Sequence, residues 1–157
     1  MKKHARIEAF ISSLDSATPS GLHPCYAGYF TCFNAGDYYE AHDVLEHLWL
    51  PCQDASKPFY KGLIQIAGAF VHLRKQFLRP THPKDGRRLA PASRLFDLGA
   101  QNLRPFAPIH LQLDIATVLT LCTRHNTAIR DSDYTINPWN PRILPKLRLL
   151  PDTSAGD

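Results

Sequence analysis

Where hydrophobic positions along this chain form a clear pattern, they recur three and four residues apart, the signature of helices buried on one face. Arg6–Leu14 is a short amphipathic start, stopped by Pro19-Ser20-Gly21. Helical potential returns over 23–34 and ends at Asn34-Ala35-Gly36, where glycine accepts the left-handed C-cap conformation. Asp37, with Glu40 three residues on, is a capping-box start for a helix over 37–50 that Pro51 stops. A long helix follows over 58–77, with Pro58 in its first turn, and another over 92–103. The last is predicted over 109–130, with Leu111, Ile115, Val118, Leu119 and Cys122 as its apolar stripe. Strict alternation is absent, so no strand is expected.

After Asp133 the chain reads as an extended, proline-rich tail. Its Trp139, Ile143, Leu147, Leu149 and Leu150 are expected to pack back on the body. The predicted fold class is therefore all-α, a bundle of four to five helices. Residues 1–22 form an N-terminal helix and linker, 23–133 a single bundle domain, and 134–157 the tail packed on it.

Composition supports one packed domain: 157 residues, 44% hydrophobic and 20% charged. The basic start, Met1-Lys2-Lys3-His4-Ala5-Arg6, is followed by no apolar run long enough for a signal peptide or a membrane span. The expected compartment is the cytoplasm. There the four scattered cysteines (Cys25, Cys32, Cys52, Cys122) serve as small buried hydrophobes.

Charge is uneven. Between Asp37 and Asp54 there are five acids and no Lys or Arg, whereas Arg74–Arg94 holds seven bases against one acid, Asp85. That basic stretch is either a solvated loop or a contact for an acidic partner or nucleic acid. No nucleic-acid motif accompanies it.

The acidic stretch carries the chemistry. On a wheel with Tyr38 as origin, Val44, Leu48, Ala41, Leu45, Tyr38 and Trp49 fill one arc. Trp49 is expected to be buried there, so that its truncation to alanine would cost about 3–5 kcal/mol. His42 and Glu46 border the arc, while Asp43, His47 and Glu40 look outward. An i, i+4 His/Glu pair can chelate a metal, or couple a base (His42) to its orienting carboxylate (Glu46). It can equally hold two helices together by a hydrogen bond.

On the next helix Gln65 and His72 stand in line with Gly68 and Ala69 between them, small enough to let another element approach. Short connections at 34–37 and 51–57 place this helix antiparallel to the preceding one. Gln65 then comes level with His42, and His72 reaches the same pocket only if the helices cross. Arg74 falls inside an apolar arc, to pair with an acid such as Glu46 or snorkel outward.

Phe33-Asn34-x-Gly36-x-Tyr38-x-Glu40-Ala41-His42-x-x-x-Glu46-x-x-Trp49, followed by Gly62-Leu63-Ile64-Gln65-x-Ala67 and His72, resembles the domain of unknown function 309 family over about Tyr26–Leu103. The resemblance implies an all-α bundle and singles out Glu40, His42, Glu46, Trp49, Gln65 and His72, but brings no reaction, cofactor or substrate. Members continue after His72 with a Gly-Asn turn and a Gly-Ala helix start. This chain has a longer basic, proline-rich insertion at 75–91.

Two functions follow. In one, the chain is a non-catalytic binding or dimerising module with a buried His/Glu/Gln network, a second copy being a candidate partner. In the other, His42, Glu46 and His72 bind Zn²⁺ or Fe²⁺, in a metal-binding protein or a small metal-dependent hydrolase, with Glu40, Trp49, Gln65 and Arg74 around them. The Glu-x-x-His repeats of di-iron bundles, H-E-x-x-H, G-x-S-x-G and the P-loop are absent.

Overall fold

The computed structural model describes residues 21–151 and Ala9; apart from Ala9, the amphipathic start over Arg6–Leu14 lies outside the described residues. Within residues 21–151 five α-helices follow in order: α1 (Pro24–Asn34), α2 (Tyr38–Trp49), α3 (Lys57–Leu78), α4 (Leu89–Leu103) and α5 (Ile115–Asp131). Each packs on its successor up to α4, α3 against α4 most extensively, and α5 packs on α4. No described helix is long and apolar enough to cross a membrane.

The α1–α2 corner is set by local chemistry. Gly36 sits at φ +82, and the amides of Gly36 and Asp37 return to the carbonyls of Phe33 and Cys32, a Schellman closure. Asp37 does occupy the N-cap of α2, but its side chain makes no cap hydrogen bond, so the expected capping box does not close.

The 109–130 stretch departs from prediction. Its helix begins only at Ile115, and Ile109–His110 (β1) pairs antiparallel with Leu113–Asp114 (β2). Leu111 and Gln112 turn the hairpin at φ 46 and 61, both in the left-handed region that a two-residue type I′ turn demands. Leu111 is therefore a turn residue, not part of the helical stripe. The hairpin escapes detection because its turn carries neither the Asn nor the Gly that usually announces one.

The core is aromatic and spans all five helices, with Tyr29, Phe33, Tyr38, Phe59, Phe70 and Phe96 fully enclosed. Close approach of α3 and α4 depends on glycine. A Cβ at Gly99 would lie 2.8 Å from Ile66 Cγ1, and one at Gly62 would lie 3.0 Å from Leu103 Cγ. The small positions on α3 thus face a helix. Residues 134–151 carry no helix or strand, and Trp139 and Leu147 among them are buried. Trp139 Nε1 donates to Tyr38 Oη at 2.8 Å, and Asn34 exchanges two hydrogen bonds with the backbone of Leu147. Ile143, expected to pack inward, is 77% exposed. Cys25, Cys32 and Cys122 are buried free thiols.

Candidate functional site

α2 presents its aliphatic residues Ala41, Val44 and Leu45 to the core, and the helical period then delivers His42 and Glu46 to the edge of that face. His42 Nδ1 lies 3.0 Å from Asp43 Oδ1 and 3.7 Å from Glu46 Oε1. The imidazole N–H donates to the Asp43 carboxylate, and the Tyr39 ring lies against His42 at 6.4 Å between centroids. About a third of the His42 and Glu46 side chains is open to solvent.

Asp43 is the residue the wheel misplaced. It was expected to look outward, yet it is 6% exposed, because α2 is covered on more than the single stripe that the apolar pattern marks. One ligand atom from each of His42, Asp43 and Glu46 lies within 4.8 Å of the others, a spacing that one cation can span. The signal was present in the sequence as an acid between the two site residues. Its position on the helix argued against it.

The residues expected from α3 do not join this cluster. Gln65 Oε1 accepts from Asn102 Nδ2 of α4 at 2.7 Å, so Gln65 faces α4 and is not the neighbour of His42. His72 lies two turns further along the same face, where Arg88 Nη1 donates to its Nδ1 at 3.0 Å. A guanidinium can only donate, so the imidazole proton sits on Nε2. Burial first, then the charges of Arg88, Lys75 and Arg94, hold His72 down at about 4. The physical reason for both departures is that the glycines of α3 admit α4. The polar residues in line with them are therefore spent on α4 and the loop before it.

Trp49 is only partly buried, not enclosed in the core. Lys57 Nζ sits 5.5 Å from the centre of its ring, across the α2–α3 connection. Arg74 is exposed and makes no ion pair with Glu46 among the described residues. It lines a pocket of about 250 Å³ with Asp37, Tyr38, Tyr39 and Glu40, next to the His42 cluster through Tyr39. His47 is exposed, its Nδ1 donating to the Asp43 carbonyl.

None of the expected site residues lines the larger cavity of about 670 Å³ between α5 and 138–147, which holds Arg124, His125 and Lys146. The basic stretch 79–88 is knitted, not loose. Asp85 accepts from Arg79 and twice from Arg88, and Arg88 N donates to Gln76 Oε1.

No curated protein and no solved structure matches the chain. The family model that does match stops at residue 81, short of Leu103 where the sequence resemblance was placed, and covers α1 from Tyr26, α2, α3 and the first residues of the basic loop. Residues 26–81 match the model of the family described as domain of unknown function (DUF309), and the His42, Asp43 and Glu46 cluster lies inside that stretch.

Proposed function

We propose that this chain is a divalent-cation-binding helical module in which His42, Asp43 and Glu46 are the protein ligands. The observation that supports it is the convergence of three donor atoms within 4.8 Å on little more than one turn of α2. One imidazole and two carboxylates suit Zn²⁺ or Fe²⁺ and leave positions for water, the arrangement of a site that does chemistry. The half-open setting of His42 and Glu46 gives water and small solutes access. Hydrolysis by such a water, with Glu40 and Arg74 in the neighbouring pocket as substrate contacts, extends the same proposal. His72 is not among the ligands, since the donor atoms that converge belong to His42, Asp43 and Glu46, and His72 is turned to Arg88.

The test is metal content of the protein purified from metal-supplemented culture. The wild type is expected to carry about one equivalent. His42→Ala and Glu46→Gln lose it, and His72→Gln keeps it. A folded wild type without metal, or a folded His72→Gln protein that has lost it, contradicts the proposal.

A further inference from the structure

The loop between α3 and α4 neutralises its own acid and leaves the surrounding bases unspent. Asp85 is tied by Arg88 and Arg79, and the Arg88 side chain is only 13% exposed. Arg74, Lys75, Lys84, Arg87 and Arg94 are all exposed, and none makes an ion pair among the described residues. Arg74 and Lys75 share a pocket with Asp37 and Glu40, while Lys84, Arg87 and Arg94 carry the positive field onward along the loop and the start of α4.

Aromatic residues join them there. Phe77, in the last turn of α3, is 45% exposed. Tyr134 is the first residue of the tail that the sequence places on the bundle. The fold returns it to this end, where it is 45% exposed and lines a pocket of about 220 Å³ with Arg87, Gln76, Gly86, Leu89 and Ala90. Gln76, which accepts from Arg88 N through its side-chain carbonyl, also lines that pocket.

The strip is narrow. Asp37 and Glu40 share the pocket of Arg74 and Lys75 on one side, and the exposed Asp131 and Asp133 precede Tyr134 on the other. A duplex presents two phosphate tracks and would meet those acids, whereas a single strand needs one track and a ring to stack on.

We propose that this face binds single-stranded nucleic acid. Lys75, Lys84, Arg87 and Arg94 would contact phosphates, and Tyr134 would stack on a base beside Arg87. The cation site on α2 takes no part.

Fluorescence anisotropy of the full chain with a labelled oligouridine of about 12 nucleotides tests this. Affinity is expected to fall with salt at a logarithmic slope of about −3, as contact with about four phosphates of a single strand gives. Lys84→Glu with Arg87→Glu should weaken binding about tenfold or more. Tyr134→Ala and Tyr134→Leu should each weaken it about fivefold or more, Tyr134→Phe should not, and His42→Ala should leave it unchanged. Equal affinity for a duplex of the same length or for polyglutamate overturns the proposal, as does no binding at low salt. Indifference to both Tyr134→Ala and Tyr134→Leu overturns it as well.

Discussion

His72 illustrates how one side chain reports its surroundings. Its folded-state value of about 4 lies below the value of about 6.5 expected in an unfolded chain. As pH falls, the unfolded chain therefore takes up the proton first, and stability falls between about 6.5 and about 4, with no further loss from this group below that. Burial of His125 and His110 depresses both in the same direction, so they add to the slope. Asp85, held low by Arg88, acts only at lower pH. Gln can accept the same Arg88 hydrogen bond without titrating. His72→Gln should therefore reduce the acid slope of denaturation midpoints without abolishing it, and an unchanged slope would show that His72 is not the group.

The two tryptophans make a matched pair at the same scale. Trp139 is enclosed and donates to Tyr38 Oη, so Trp139→Ala should cost about 3–5 kcal/mol in urea denaturation. Trp49, partly buried with Lys57 over its ring, should cost only about 1–2 kcal/mol. A reversed order would mean that the 134–151 segment does not hold its place.

At the scale of elements, the α3–α4 crossing decides where polar side chains go. Gly99→Ala would push a methyl to 2.8 Å from Ile66 Cγ1 and 3.0 Å from the Gly62 carbonyl. It should destabilise the protein by about 1–3 kcal/mol, since backbone cannot yield as a side-chain tip can. A neutral effect on the thermal midpoint would show that the helices sit further apart.

This crossing also explains what the sequence allowed one to read. The bounds of α1 to α4 were legible to within three residues, because Gly36, Pro51, Pro58 and the apolar periods act locally. The partners of Gln65 and His72 were not, because a wheel gives the side of a helix and not which neighbour occupies it. The short 51–57 connection made α2 the obvious partner, yet the glycines marked the face that α4 takes. The hairpin was missed for a different reason: Leu111 and Gln112 adopt a turn conformation that their side chains do not advertise.

At the scale of the whole molecule, an acidic stretch and a basic one meet at a single pocket, which Asp37 and Glu40 share with Arg74 and Lys75. Five acids and no Lys or Arg lie between Asp37 and Asp54, and five exposed bases gather around the α3–α4 loop. The core fixes both, since α2 and α3 bury their apolar faces against one shared set of rings. A histidine ligates metal as the neutral imidazole, so protons compete with the metal and binding strengthens as pH rises. Calorimetric titration of zinc into the metal-free protein at about pH 8 and about pH 6 measures this directly. One site per chain is expected, tighter at the higher pH and absent in His42→Ala. Equal binding at both pH values, or a site that survives His42→Ala, would contradict it.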